Sequence, residues 1–383
     1  MKGLEKIRLA AGTAAALCTA VMTAVCGFSL TLPDTFTAET GTAITIDSTL
    51  PVTEKPAADG IVTLRLFGSV PVKEVTKNTM KRPRLIAGGQ AFGIKLVTDG
   101  VMVVDMKKMS GVCPAVDAGL QVGDVIETVN GENVYSNMRI SELIRASGGD
   151  DCTIGFRRGG ESLECTLTPI FSAGRYRAGM WVRDSSAGIG TMTFIDPDSG
   201  AFAGLGHSIC DPDTREPLPL SQGTAAEVRI DGVTKSARGV PGQLLGEFDG
   251  DDIGRLTLNC DGGVYGVIDS LPENAQVYPL GFSHEVKKGG AYMIAQLDGE
   301  APQRFDITIE SMNSGGHDLI IRTDDSRLLE KAGGIVQGMS GSPIIQDGRL
   351  VGAVTHVFVD DPCGGYGIFA ERMYKYAVGS VAG

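Results

Sequence analysis

The chain lacks the features that nucleic-acid-binding and metal-binding proteins need. Its 383 residues carry a formal net charge of −12, and the 34 lysines and arginines form no sustained cluster, so nucleic acid is not expected as a partner. The four histidines and eight cysteines include no Cys-x-x-Cys pair and no ligand-like spacing, so we expect no metal. We expect the six cysteines beyond residue 32 to be free thiols, with a Cys152–Cys165 disulfide as the alternative.

Aromatic residues are also scarce, with a single tryptophan, whereas glycine is abundant at 53 residues. Glycines separate short apolar runs along the whole chain, which predicts mainly β structure. After residue 178 the strand-like runs are AAEVRI, GRLTLN, GVYGVI, AYMIAQL and FDITIE. Several short strands joined by glycine-rich turns indicate a sandwich or a barrel. The one good helix candidate in this region covers residues 327–331.

The N-terminus contains the only long run without charge. Lys2, Lys6 and Arg8 precede an uncharged stretch that ends at residue 32 and is long enough, at roughly 20 residues, to cross a bilayer. We interpret residues 1–32 as an uncleaved membrane anchor, with a cleaved signal peptide as the alternative. In either case the rest of the chain is exported. Residues 33–59 are predicted to be a linker, and residues 60–88 a short β segment.

Residues 89–170 resemble a PDZ domain. Two motifs carry the resemblance, AFGIKL from residue 91 and PAVDAGLQVGDVIETVNGENV from residue 114. The first predicts a carboxylate-binding loop in which the N–H groups of Phe92 and Gly93 hold a peptide terminus and Ile94 begins the binding strand. A helix over residues 141–147 would wall the groove. We predict that this groove binds a peptide ligand. The alternative is a groove that is empty or filled by the protein's own chain.

Ser340 lies in a Gly-x-Ser-Gly-x-Pro turn, GMSGSP, which is followed by a hairpin pattern with an Asp347-Gly348 turn. Such a turn presents a serine hydroxyl and leaves backbone N–H groups free for an oxyanion. We predict an oxyanion hole formed by Gly338 and Ser340. Trypsin-like serine peptidases arrange their nucleophile in this way. Residues 336–339 and 354–357 would wall an apolar substrate pocket.

A serine nucleophile needs a base, and His207 is the best candidate among the four histidines. It follows a strand-like run and is flanked by glycines in GLGHS, which would leave its imidazole accessible. His356 lies in the strand behind the serine and is expected to line the substrate groove or to pack structurally. His284 and His317 lie in polar loops and are expected to be solvated.

The carboxylate that would orient the base is less well defined by the residues alone. Asp324 and Asp325 come shortly before the serine. Asp249, Asp251 and Asp252 follow His207 at a separation typical of trypsin-like enzymes. The aspartates nearest to His207 are typical of Asx turns, and they are Asp196, Asp198, Asp211 and Asp213.

Three further blocks make the chain similar to the SpoIVB family of sporulation serine peptidases. They are VRDSSAGIGTMTF, FAGLGHSICDPDT and the long block TDDSRLLEKAGGIVQGMSGSPIIQDGRLVGAVTHVFVDDPCGGYGIF. The resemblance implies a trypsin-like β-barrel peptidase domain over residues 178–383, with the triad His207, Asp325 and Ser340 and no cofactor. Relatives often have proline where this chain has Ser326. Asp325 also lies only 15 positions before the serine, which is unusual for a trypsin-like fold.

The resemblance also implies a biological role. Such peptidases are exported into the forespore intermembrane space, cut themselves, and then cut a membrane-bound inhibitor of an intramembrane metalloprotease. That cleavage activates a late mother-cell sigma factor during sporulation. By accessibility alone, self-cleavage is predicted between residues 33 and 58. The alternatives are a catalytically inactive PDZ adaptor and a general envelope quality-control protease.

Overall fold

The computed structural model describes residues 16, 19, 21–46, 50–273 and 275–381, and these are mainly β-strands, as predicted. The chain divides into two compact units, residues 1–83 with 282–287, and residues 84–281 with 288–383. A helical segment covers residues 21–31. Most of the predicted anchor lies outside the described residues. Within the described ones, no helix has both the length and the apolar character that crossing a membrane requires.

The first unit is a four-stranded sheet in the order β1-β4-β3-β2. Its strands are β1 (Thr35–Glu39), β2 (Val52–Ala58), β3 (Ile61–Leu66) and β4 (Val70–Met80), and a short 3-10 helix covers Ser283–Glu285. Phe36 and Ala38 on β1 are buried with Leu64 and Val75. The predicted linker over residues 33–59 is therefore corrected for β1 and β2, which are strands of this sheet, because β1 buries Phe36, Thr37 and Ala38.

The second unit begins with β5 (Arg84–Ala87), which does not belong to the PDZ-like module that follows. The elements of that module are the end of β6 (Ala91–Met106), α1 (Pro114–Asp117), β7 (Val125–Val129), β8 (Glu132–Asn133), α2 (Asn137–Ala146), β9 (Cys152–Arg158), β10 (Glu161–Leu167), β11 (Ile170–Ser172) and β12 (Arg175–Arg177). The predicted turn at Asn130 and Gly131 is present, with φ of 52° and 78°. The module's core extends from Val101 to Ala178, so it begins and ends later than the predicted range 89–170.

A six-stranded barrel follows. It adds β13 (Met180–Ile195), β14 (Ala201–Gly204), β15 (Leu220–Thr234), β16 (Gln243–Cys260) and β17 (Gly263–Ile268), and β18 (Val277–Pro279) pairs with β5 outside it. The order is β6-β15-β16-β17-β14-β13, and β13 pairs back with β6 to close the ring. Strands β6 and β13 run through both the barrel and the PDZ-like module, so the two share a continuous sheet.

A second closed barrel completes the chain in the order β19-β20-β21-β24-β23-β22. Its elements are β19 (Gly289–Ala295), β20 (Gln303–Ser314), β21 (His317–Thr323), α3 (Ser326–Ala332), β22 (Pro343–Gln346), β23 (Arg349–Val357), β24 (Gly364–Phe369) and α4 (Ala370–Val381). The predicted hairpin is present, with Asp347 and Gly348 at φ of 49° and 71°. Two six-stranded barrels in succession are the trypsin-like architecture that the sequence predicts.

Candidate active site

The segment before β22 holds Ser340 in a tight turn that needs glycine on both sides. Gly338 and Gly341 have φ of 97° and 99°, in the left-handed region that favours glycine. A Cβ added at Gly341 would lie 1.9 Å from the Thr191 carbonyl oxygen, so no larger residue fits there. The Gly341 N–H donates to the Val354 carbonyl at 2.7 Å, which ties the turn to β23. The Ser340 side chain is thereby held at the surface of the second barrel.

The backbone around Ser340 has free donors. The Thr191 N–H donates to the Ser340 carbonyl at 2.9 Å, and the Thr191 hydroxyl donates to the Gly338 carbonyl at 2.7 Å. In the part of the chain that the structure describes, the N–H groups of Gly338 and Ser340 donate to no acceptor. Thr191 of β13 thus binds the carbonyl groups of Gly338 and Ser340. The N–H groups of the same two residues remain available for a developing oxyanion. This arrangement suits the predicted oxyanion hole.

His207 lies three residues after β14, in a turn where Leu205 and Gly206 have positive φ values of 63° and 72°. Its Nδ1 atom is 2.8 Å from the Ser208 carbonyl oxygen. Because a carbonyl can only accept, Nδ1 carries the proton in this contact and Nε2 is left as the acceptor. Burial lowers the pKa of His207 below its ordinary value, although the Ser208 hydrogen bond opposes that shift. A neutral imidazole with a free Nε2 is the form that a general base requires.

Ser340 and His207 line one cavity of about 410 Å³ between the two barrels. Most of its walls are apolar, and they include the predicted segments around Val336 and Val354. The Ser340 hydroxyl donates to the Thr355 carbonyl at 2.5 Å rather than to His207. Attack on a substrate therefore begins with rotation of this hydroxyl, which apo active sites commonly require.

His356 also lines this cavity, in agreement with the first of its two predicted roles, that of lining the substrate groove. The centroids of its ring and that of His207 are 4.5 Å apart, with the ring planes at 34°. Burial and the nearby charges of His207 and His317 lower the pKa of His356 to about 4. His356 is therefore uncharged at neutral pH, and two neighbouring imidazoles do not oppose each other there. His317 stacks on Tyr366 at 3.6 Å.

Asp325 lies at the N-terminus of α3. Its carboxylate accepts hydrogen bonds from the N–H groups of Arg327 and Leu328 and from the Asp306 N–H, and Arg327 pairs with it at 2.6 Å. These contacts, led by Arg327, hold its pKa at about 2. Asp325 does not line the cavity that Ser340 and His207 share. The structure thus brings two of the three predicted triad residues together and leaves the third in contact with its own helix.

The other predicted acids do not line that cavity either. Asp249 pairs with Arg229, and Asp252 pairs with Lys95 at 3.1 Å. Asp251 and Asp324 have exposed side chains. The His207 imidazole makes no hydrogen bond to a carboxylate among the described residues.

The predicted carboxylate-binding loop of the PDZ-like module is wrong. Phe92, Gly93 and Ile94 lie inside β6, where Gly93 pairs with Ile189 of β13 on one side and with Ala226 of β15 on the other. Their N–H groups face a complete sheet, and their side chains are buried in the first barrel. A peptide terminus has no access to them.

The groove of this module lies elsewhere. A cavity of about 260 Å³ separates the α2 face around Ile140 from the start of β13, Met180 to Val182. The segment from Arg177 to Met180 forms its loop, with Gly179 at φ of 77°. The start of β13 pairs with the end of β6 and so takes the place of the peptide-binding strand. The apolar-Gly-apolar sequence at residues 178–180, between two strand patterns, was the signal for this loop.

Two closed barrels, a serine with free oxyanion donors and a neutral histidine in one cavity define a serine endopeptidase. Residues 174–374 match the family model of the SpoIVB peptidase S55, and residues 112–158 match a PDZ domain. The chain belongs to the SpoIVB peptidase S55 family. No curated protein matches it.

Several solved structures are similar to parts of the chain. The PDZ domain of an SdrC-like protein from Listeria monocytogenes is 28% identical, with 22% of this chain and 87% of that chain covered and a TM-score of 0.19. The HtrA-type protease AlgW is 15% identical over 52% of this chain and 55% of its own, with a TM-score of 0.32. The Rv3671c protease from M. tuberculosis is 17% identical, with 51% of this chain and 74% of that chain covered and a TM-score of 0.31. The chain thus spans about half of the length of AlgW.

Proposed function

We propose that this chain is a membrane-tethered, self-cleaving endopeptidase that signals during sporulation by cutting a regulatory membrane protein. The cut, made in the forespore intermembrane space, would release an intramembrane metalloprotease and lead to activation of a late mother-cell sigma factor. Membership of the SpoIVB peptidase S55 family supports this role. The single observation that carries the enzymatic part is the cavity shared by Ser340 and His207.

In the proposed reaction the Ser340 hydroxyl turns from the Thr355 carbonyl toward Nε2 of His207, which removes its proton as the oxygen attacks a peptide carbonyl. The N–H groups of Gly338 and Ser340 then stabilise the oxyanion, a contribution of roughly 3–4 kcal/mol for one donor in comparable enzymes. His207 passes the proton to the leaving amine, and water hydrolyses the acyl-enzyme. The resemblance assigns the third triad position to Asp325.

The PDZ-like groove supports a peptide as partner of the second module. Lys107, Arg175 and Arg177 border the groove, and the Arg177 Nε atom is buried without a hydrogen-bond partner among the described residues. A terminal carboxylate would supply the missing acceptor and the opposite charge. We propose that the groove takes an extended peptide with a free C-terminus, from the substrate or from a cleaved copy of this chain.

The sites proposed for self-cleavage need accessible backbone. Between residues 33 and 58, Thr35–Glu39 form a strand with a buried core face, whereas residues 55–60, the end of β2 and the turn after it, are continuously exposed. We therefore propose that the first cut falls in the exposed stretch rather than in β1. Proteases cut extended, accessible segments most readily.

The experiment combines a fluorophosphonate probe with mapping of self-cleavage by mass spectrometry, for the wild type and Ser340→Ala. We expect the wild type to be labelled on Ser340 and to be cut near residues 55–60, and the variant to show neither. Cleavage by purified Ser340→Ala would refute the nucleophile. A wild type that is folded but unlabelled would leave a peptide-binding adaptor, and digestion of many unfolded proteins would favour a quality-control protease.

A further inference from the structure

We propose that Asp261 is the carboxylate that positions His207 during catalysis. Asp325 instead stabilises helix α3 by capping its N-terminus. This inference rests on the proposed function, because it names a further group acting in the same site. It differs from the assignment that the family resemblance gives. Asp261 lies in the tight turn between β16 and β17, a position that none of the sequence motifs marks.

The pairing of the strands places this turn beside His207. Strands β14 and β17 are antiparallel, and their last pair is Gly204 opposite Val264. The ladder ends there: β14 continues through the positive-φ residues Leu205 and Gly206 to His207, and the turn that contains Asp261 comes just before β17, so both residues lie beyond the same end of this strand pair. Gly263 confirms the close approach, because a Cβ added to it would lie 2.7 Å from the Gly204 carbonyl oxygen.

The side chain two residues before Asp261 already holds the segment that follows His207. Asn259 accepts a hydrogen bond from the Ile209 N–H at 2.8 Å and donates one to the Ile209 carbonyl at 3.0 Å. The end of β16 therefore fixes the backbone beyond His207 through Asn259, and Asp261 lies in the turn that follows directly.

Asp261 and His207 also line one cavity, of about 750 Å³. The other titratable side chains that line it are Cys210, in the loop after His207, and His356 on β23. Asp261 is the one carboxylate, among the described residues, that lines either of the two cavities bordered by His207. Asp325, by contrast, is bound by Arg327 and three backbone N–H groups.

This placement gives Asp261 a defined task. At rest, the His207 Nδ1–H donates to the Ser208 carbonyl, which fixes the ring but supplies no full negative charge. When Ser340 transfers its proton to Nε2, the ring becomes a cation in a cavity where burial disfavours charge. The exposed Asp261 carboxylate can rotate toward this cation and stabilise it. The proton itself passes from His207 to the leaving amine.

The test uses the full-length chain, a fluorophosphonate probe and labelling rates measured from pH 4 to 9. The variants are Asp261→Asn, Asp261→Glu and Asp325→Asn, with Asp324→Asn as the exposed control and Ser340→Ala as the blank. We expect Asp261→Asn to slow labelling by ~10-fold or more and to move the acid limb of the profile to lower pH, because the imidazolium loses its counter-charge. Asp261→Glu should restore part of the rate.

Asp325→Asn should label within about threefold of the wild type at 25 °C while it melts at a lower temperature, since asparagine keeps the helix cap and loses the ion pair. The proposal is overturned if folded Asp325→Asn loses labelling while Asp261→Asn keeps the wild-type rate and acid limb. It is equally overturned if neither variant differs from Asp324→Asn, which would leave a Ser-His dyad. Failure of the proposed function is distinct, because then the wild type itself would not be labelled.

Discussion

The Thr191 hydroxyl donates a 2.7 Å hydrogen bond to the Gly338 carbonyl, and this contact joins the two barrels at the nucleophile. Thr191 belongs to β13 of the first barrel, whereas Gly338 precedes the second-barrel strand β22. By binding this carbonyl, Thr191 fixes the peptide plane between Gly338 and Met339, which lies in the chain between the two donors of the oxyanion hole, the N–H groups of Gly338 and Ser340. The oxyanion hole is thereby pre-organised by a strand that also forms one wall of the PDZ-like groove.

The first prediction follows from this bond. Thr191→Val keeps the shape of the side chain but removes the donor, which leaves the Gly338 carbonyl without its partner. We expect the rate of fluorophosphonate labelling to fall by ~5–10-fold and the unfolding free energy to fall by about 1 kcal/mol. Thr257→Val is the matched control, because its hydroxyl bonds Ser380 away from the site. Equal rates in the two variants would show that this bond has no part in catalysis.

The second prediction concerns pH. Only neutral His207 can accept the Ser340 proton, and burial lowers the pKa of His207 below 6.5. Activity should therefore rise with pH through a midpoint below 6.5 and be full at neutral pH. His356→Gln should leave that midpoint in place, because the pKa of His356 is about 4 and its ring is uncharged where His207 titrates. The His356→Gln substitution is expected to change KM instead, because His356 lines the substrate cavity.

The check is kcat/KM for a peptide substrate, measured from pH 4 to 9 in wild type and His356→Gln. A midpoint at or above 6.5 would contradict the buried, neutral base. A midpoint that moves by more than about half a unit in the variant would mean that the two imidazoles titrate together.

The third prediction concerns Asp325 and stability. Its folded-state pKa is about 2 against an ordinary value of 3.8, so its contribution is present above pH 4 and is lost as pH falls toward 2. With a nearly buried carboxylate, this shift corresponds to roughly 2 kcal/mol at pH 7. Asp325→Ala, which removes both the cap and the ion pair with Arg327, should lose at least that much. Asp325→Asn should lose less, because asparagine caps helices well.

Urea unfolding at pH 7 and at pH 3 provides the measurement, with Asp324→Asn as control. The difference between wild type and Asp325→Asn should shrink at pH 3, where the wild-type advantage is being lost. A constant difference at both pH values would show that the Asp325 charge does not stabilise the fold.

The features that sequence reasoning predicted correctly depend on residues close together in the chain. The Asp347-Gly348 hairpin and the Asn130-Gly131 turn follow from residues that tolerate positive φ, and helix α3 was predicted within one residue at each end. The serine turn and the strand-flanked His207 are likewise local patterns. Their meeting in one cavity was inferred from the chemistry that a nucleophile requires, and the structure places both there.

The features that were missed depend on partners far apart in sequence. The alternation of AFGIKL marks a strand, but it cannot show that β13 and β15, about 90 and 130 residues away, cover both of its edges. The true groove loop at residues 178–180 follows the PDZ-like core instead of preceding it. Asp261 was overlooked because only the pairing of β14 with β17 brings its turn to His207.

The last prediction tests that relocated groove. Because Arg177 and the neighbouring basic side chains border it, a peptide with a free carboxylate should bind more tightly than the same peptide with an amidated end. Arg177→Gln should weaken binding of the free-acid peptide by ~10-fold and abolish its advantage over the amide. The control is Arg145→Gln, because Arg145 is an exposed arginine on α2 that does not line the groove. Fluorescence polarisation with an apolar C-terminal peptide measures both, and binding that is indifferent to the terminal charge in the wild type would exclude carboxylate recognition at residues 177–180.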